Sequence, residues 1–274
     1  MDYQDLITGM KRCGSTEHDI CVHGIGITPE QVQENVIIAP WWEPSILPGL
    51  GTADFLSASE YYHIKAWHIT SGSLNMTYIK TGIGAPVLMD TLLSLGVTAC
   101  KKIIFIGSVG ALDETIGIGD IVIPYDTICG DGASRYIASD LLSKGDVFGE
   151  KVYPDTYLFN KAKAITEYLC KANGVKWHIG KTFSIDTIFV QYAHIDEILG
   201  MGCNVIEMET AAAFRAAALA NIPTVALFSV SDNTVINKSL VSGRTTHEMN
   251  YRKYVRRELF PKIILDIFND VDYI

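Results

Sequence analysis

The sequence predicts an α/β protein with one central sheet, largely parallel, flanked by helices on both faces. Three observations carry this. Val36-Ile37-Ile38-Ala39, Ile103-Ile104-Phe105-Ile106 and residues 224–230 are short uninterrupted apolar runs. Such runs mark strands buried on both faces, since a strand with one wet face alternates instead. Helically spaced segments at 84–95, 157–172 and 210–220 separate them, the alternation of a helix-covered sheet. The 274 residues contain no internal repeat and no linker-like stretch, which fits a single large domain.

In chain order, residues 1–22 are polar and predict an amino-terminal arm with a short helix, ahead of one α/β domain over 23–274. The run 36–39, closed by Pro40, predicts the first strand. Residues 63–70 and 74–80 flank Ser71-Gly72-Ser73 and predict a hairpin. A helix over 84–95 should stop at Gly96. The strand at 103–106 runs into the turn Gly107-Ser108-Val109-Gly110, and Ile121-Ile123 follow Gly117-Ile118-Gly119-Asp120. Asn204-Val205-Ile206 predicts a strand that delivers Glu207, Met208 and Glu209 to the head of an alanine-rich helix. Residues 223–230 form a last apolar strand ending at Ser231-Asp232-Asn233, and 247–268 predict one long closing helix.

Composition excludes several classes of function. The chain is 48% hydrophobic with a mean hydropathy of +0.19, too apolar for a disordered protein. With 22 basic against 31 acidic residues the net charge is −9. Such a field repels nucleic-acid backbones and anionic membranes, while a small anionic ligand at a local site stays open. Only 19% of residues are charged, which suggests surface covered by other subunits. The six cysteines include no CxxC pair, so free thiols in a reducing cytosol are expected rather than disulfides or a metal site. No signal-peptide core and no membrane-length apolar run is present. A cytoplasmic protein is expected.

In a covered sheet, ligands sit beyond the carboxyl ends of the strands, which directs attention to three clusters. In Glu207-Met208-Glu209 the two carboxylates share a face if the backbone is extended, and either could accept from a cis-diol. The same segment also reads as an acidic turn capping the next helix. Asp232 ends a buried strand, where an unpaired charge is expensive. It either caps a turn or keeps a raised pKa suited to donating a proton, and Asn233 beside it could select ring substituents. Gly107-Ser108-Val109-Gly110 offers backbone N–H groups and a hydroxyl to an anion. It is neither GxGxxG nor a P-loop, which weighs against a dinucleotide-binding dehydrogenase.

Taken in order, Thr81-Gly82-Ile83-Gly84-Ala85-Pro86, Ile106-Gly107-Ser108-Val109-Gly110-Ala111, Ile118-Gly119-Asp120, Val205-Ile206-Glu207-Met208-Glu209 and Ser229-Val230-Ser231-Asp232 resemble the nucleoside phosphorylase-I family. The resemblance implies a partly barrel-like sheet and cleavage of a nucleoside's N-glycosidic bond. It assigns the ribose hydroxyls to Glu209, with Met208 packed on the sugar and Glu207 beside it. Asp232 would protonate a departing purine, assisted by Arg244, with Ser231 alongside. Ser108, Val109 and Gly110 would line the acceptor side, and Ile188 or Phe189 would lie against the base. His23 would reach a neighbouring subunit's site, implying a homo-oligomer, either a dimer or a hexamer built as a trimer of dimers. Neither a metal nor an organic cofactor is implied.

The departures concern phosphate. Where the family places a glycine and three arginines, this chain has Pro40-Trp41-Trp42-Glu43-Pro44-Ser45-Ile46, with Ile46 at one arginine position, Phe105 at the second and the region of Ser59 at the third. Each charge-assisted contact to a buried dianion contributes about 1.5–3 kcal/mol, so losing three removes roughly 5–9 kcal/mol. Related nucleosidases lack these arginines and use a glutamate near Glu43 to activate water. Water is therefore the expected acceptor, with Glu43 as base and the tryptophans filling vacated space. Phosphorolysis through an unusual phosphate pocket and a non-catalytic nucleoside-binding protein are the alternatives.

Overall fold

The computed structural model describes residues 1–57, 64–137 and 146–273. Two helices open the chain, α1 (Tyr3–Arg12) and α2 (Glu17–Ile25). There follow β1 (Asn35–Ala39), β2 (Thr52–Phe55), the hairpin β3 (Lys65–Ser71) and β4 (Leu74–Lys80), α3 (Ala85–Leu95), β5 (Lys102–Ala111), β6 (Ile121–Gly130) and β7 (Lys151–Val152). The remainder is α4 (Thr156–Asn173), β8 (Trp177–Ile185), α5 (Ile188–Gln191), α6 (Ile195–Gly200), β9 (Val205–Glu207), α7 (Thr210–Leu219), β10 (Thr224–Asn233), α8 (Thr246–Tyr254) and α9 (Phe260–Phe268).

Strands β5, β10, β6, β8 and β9 close into a ring. The β5–β10, β6–β8 and β8–β9 pairs are parallel, and β10–β6 and β9–β5 are antiparallel. A wing of β1, β4, β3 and β2 continues from the far side of β5, with β1 parallel to both of its neighbours. Strand alternation sorts the apolar runs into two cores. Val36, Ile38, Ile103 and Phe105 join Leu88 and Leu92 of α3 and the alanines of α7. Ile37, Ala39, Ile104 and Ile106 join Leu158 and Ile165 of α4 and Phe260 and Ile264 of α9. The expected arm contains α1, whose Tyr3 hydroxyl donates to Leu93 O at 2.5 Å, and most of α2. Cys21 and Ile25 of α2 pack with the α3 side of the core.

Three expectations need correction. Gly107–Gly110 is not a turn but part of β5, because β10 continues to pair with it as far as Asn233↔Ala111. The strand β8 and the edge strand β2 carry no uninterrupted apolar run and escaped prediction; β2 is exposed along its whole length. The closing helix is not uniform. Between α8 and α9 it widens into a π turn at Val255–Leu259, just before Pro261, whose missing N–H and bulky ring disrupt the regular hydrogen-bond ladder.

Candidate active site

A cavity of about 400 Å³ opens at the carboxyl ends of β1, β5, β9 and β10. Glu207, Met208 and Glu209 line it from the β9–α7 junction, Ser231 and Asp232 from β10, and Ser108 and Gly110 from β5. Ile188 and Arg244 complete the expected residues found there. The long loop after β1 contributes Trp41, Trp42 and Ile46.

The two glutamates do different work. Glu207 is buried and fully engaged. Its Oε1 accepts from Ser184 Oγ at 2.5 Å, and its Oε2 accepts from the backbone N–H groups of Glu209 and Thr210 at 2.7 and 2.8 Å. It thus caps α7, the local reading of the acidic turn. Glu209 accepts one hydrogen bond on Oε1, from Gly84 N–H at 2.7 Å, so the Thr81–Gly84 loop exists partly to hold this carboxylate. Burial, and then the charge of Glu207, push the Glu209 carboxyl up.

Asp232 reaches the cavity through an irregularity. Pairing of β10 with β5 shifts between Val230 and Asp232, a bulge that re-aims side chains and lets consecutive residues face one space. Ser231 Oγ lies 3.2 Å from Val109 O and 2.5 Å from Asp232 Oδ1. Burial raises the Asp232 carboxyl against the opposing pull of the Ser231 hydroxyl, Arg244 and Arg252. Arg244 is itself held by the carbonyls of Ser231 and Leu240.

Other expected residues fall elsewhere. Val109 contributes its carbonyl, while its side chain is in the core. Phe189 is 90% exposed and is not part of the cavity lining. Asn233 turns away from the cavity, its amide donating to Asp113 O and Ile116 O at 2.8 and 2.9 Å, so it anchors a loop rather than reading a ring. His23 is on α2, on the Asp90 side of α3 and not in the lining of this chain's cavity. Ser59 lies outside the described residues.

Glu43 requires a correction. It is not in the cavity lining; its Oε1 sits 2.9 Å from Lys80 Nζ and 3.4 Å from Lys65 Nζ. The hydrogen bond from Lys80, reinforced by both ammonium charges, holds its carboxyl below the ordinary range. A carboxylate stabilised in this way is a weakened base. Trp42 is buried edge-on against Phe260 at 5.7 Å, and Ile46 and Phe105 occupy the cavity wall as apolar side chains.

Sequence reasoning missed Arg252 and Arg256, which also line the cavity. They are four apart at the α8–π junction, and Arg252 Nη2 donates to Ser108 Oγ at 2.7 Å. The available signal was Arg252-Lys253-Tyr254-Val255-Arg256-Arg257, a basic run entering an otherwise apolar helix. Among the described residues, no cluster of His, Cys, Asp and Glu could hold a metal ion. No described helix is long and apolar enough to cross a membrane.

The family model of the phosphorylase superfamily matches residues 47–257. The DeoD-type purine nucleoside phosphorylase of Streptococcus pyogenes serotype M4 is 27% identical over 166 residues, 58% of this chain and 63% of the relative. Its counterpart from Streptococcus thermophilus is 26% identical over 165 residues, 58% of this chain and 64% of the relative. The chain therefore spans just under two thirds of the length of these relatives. Uridine phosphorylase from Vibrio fischeri ES114 has the same fold, with a TM-score of 0.71 at 19% identity over 88% of this chain and 94% of that one. With the family model covering most of its length, the chain belongs to the phosphorylase superfamily.

Proposed function

We propose that the protein cleaves the N-glycosidic bond of a purine nucleoside or close analogue. The observation that supports this is the meeting of Glu209 and Asp232 in one cavity, both carboxyls raised by burial. As the bond breaks, its electron pair passes to the base nitrogen and the sugar becomes oxocarbenium-like. Asp232, whose carboxyl is raised by burial, gives its proton to the leaving base. Glu209, with Oε1 occupied by Gly84, keeps Oε2 for a ribose hydroxyl and fixes the sugar. A purine suits this arrangement because its ring nitrogen gains the proton that Asp232 supplies.

Glu43 does not enter this mechanism, since its ion pairs leave it outside the cavity. His23 would serve a neighbour's cavity rather than its own, which makes a homo-oligomer part of the proposal. The test is release of free base from inosine, adenosine and 5′-methylthioadenosine by wild type and Asp232→Asn. The variant is expected to lose about 10²–10⁴-fold in turnover, the range of a general acid, while substrate binding changes little. Equal losses in turnover and binding would remove the proton-donor role.

A further inference from the structure

Glu207 and Glu209 stand two residues apart, and both are buried side chains that line the cavity. What separates them is their partners. Parallel pairing of β8 with β9 sets Ser184 directly against Glu207. Ser184 is itself fully buried and is not part of the cavity lining. Its hydroxyl donates to Glu207 Oε1 at 2.5 Å and accepts from Ala211 N–H at 2.9 Å. Glu207 Oε2 accepts from the N–H groups of Glu209 and Thr210 at 2.7 and 2.8 Å. Three successive N–H groups at the head of α7 are therefore satisfied by two side chains, one from β9 and one from β8.

These two bonds are specific to Ser184. Thr182, two residues earlier on β8 and so on the same face, buries its hydroxyl without a hydrogen-bond partner, and so does Thr210 at the head of α7. The strands close tightly here: a β-carbon on Gly130 of β6 would stand 2.4 Å from Ser184 O. Without the Ser184 hydroxyl, Glu207 Oε1 becomes a buried carboxylate oxygen with no partner, an unfavourable state. Glu207 already lines the cavity, so turning into it restores solvation but releases the N–H groups of Glu209 and Thr210. Glu209 then loses its backbone anchor, and Gly84 N–H holds its side chain at Oε1 alone. Glu207, once freed, competes with it for the same hydroxyl.

We propose that Ser184 is a positioning residue that decides which of the two glutamates holds the sugar. It keeps Glu207 on the head of α7, so that Glu209, anchored at its backbone by Glu207 and at its side chain by Gly84, takes the ribose hydroxyl alone. Ser184 touches no reacting atom and acts only through Glu207. The identity of the ligand rests on the glycosidic reading above; the relay from β8 to Glu209 does not. One hydrogen bond to a charged group changes affinity by about 10- to 100-fold, which sets the size of the expected effect.

The test compares wild type and Ser184→Ala on two substrates. On inosine the variant is expected to lose about 10- to 100-fold in kcat/KM. Most of the loss should appear in KM, because Glu209 already engages the sugar in the bound ground state. On 2′,3′-dideoxyinosine, which lacks the hydroxyls that Glu209 holds, the variant should stay within about twofold of wild type. Equal losses on both substrates would show that Ser184 merely supports the fold, and would overturn the proposal. So would an unchanged kcat/KM on inosine. Ser184→Thr keeps the hydroxyl and should recover most of the loss on inosine even where its added methyl lowers Tm; a threonine protein that behaves like the alanine one would also overturn it. Should Ser184→Ala melt below the assay temperature, Ser184→Cys, close in size but only a weak donor, carries the comparison with the same loss on inosine alone. If wild type cleaves neither nucleoside, the glycosidic reading falls. The comparison then moves to calorimetric Kd values for the same two compounds. Weakening in Ser184→Ala for inosine alone upholds the positioning role, and a wild type that binds neither removes both.

Discussion

The seat of α8 can be tested at Gly119, which is not itself part of the cavity lining. Its backbone has φ +93°, and a β-carbon there would stand 2.6 Å from Tyr251 Cδ1, 2.9 Å from Arg252 N and 3.0 Å from Arg252 Cα. In Gly119→Ala the backbone strain contributes about 1–3 kcal/mol, and forced displacement of α8 adds about 1–3 kcal/mol. For a chain of this size each kcal/mol lowers Tm by about 2–4 °C, so a drop of roughly 5–20 °C is expected. The helix can relieve the overlap only by moving Arg252, which opens its 2.7 Å contact with Ser108. Gly72→Ala is the control, since that residue has φ +60° with nothing within 4 Å of its added carbon. It should show the strain part alone. A Gly119→Ala protein that melts like wild type would refute the claim that this turn seats α8.

Other perturbations have equally definite outcomes. Glu43→Gln should leave base release within about twofold and stability within about 0.5 kcal/mol, as for an exposed ion pair; a hundredfold loss of activity would restore Glu43 as a water-activating base. Asp232 carries a folded pKa above the ordinary carboxylate value, so the native state holds its proton more tightly than the unfolded chain does. That contribution to stability is complete below the ordinary value and is lost as pH rises through the raised one. Glu209 has the same sign. The Tm of wild type minus that of Asp232→Asn should therefore fall with rising pH across that window, and a constant difference would contradict the raised pKa. Base release should fall over the same rise, as the proton donor is titrated away.

The elements that sequence revealed are those with strong local signatures. The buried strands β1, β5 and β10 announce themselves as unbroken apolar runs, and α3, α4 and α7 by helical spacing. Strand β2, exposed and short, has no such signature, and Gly107–Gly110 looked like a turn because glycines hide a pairing that only the partner strand β10 imposes. The acidic segment and the Ser-Asp strand end were legible as polar groups at the mouths of apolar strands. Their division of labour was not: Glu207 became a cap because Ser184, from a distant strand, donates to it.

The order of residues alone settles which side chains end up near the carboxyl edge of the sheet, because burial periodicity and chain breaks are local properties. Which of them look into the same space is a long-range matter. A bulge in β10 turns Ser231 and Asp232 together, two lysines draw Glu43 aside, and a π turn brings Arg252 and Arg256 to a wall assembled from segments more than a hundred residues apart. Charge acts through space rather than along the chain, so which charged side chains share one cavity could not be read from the primary structure.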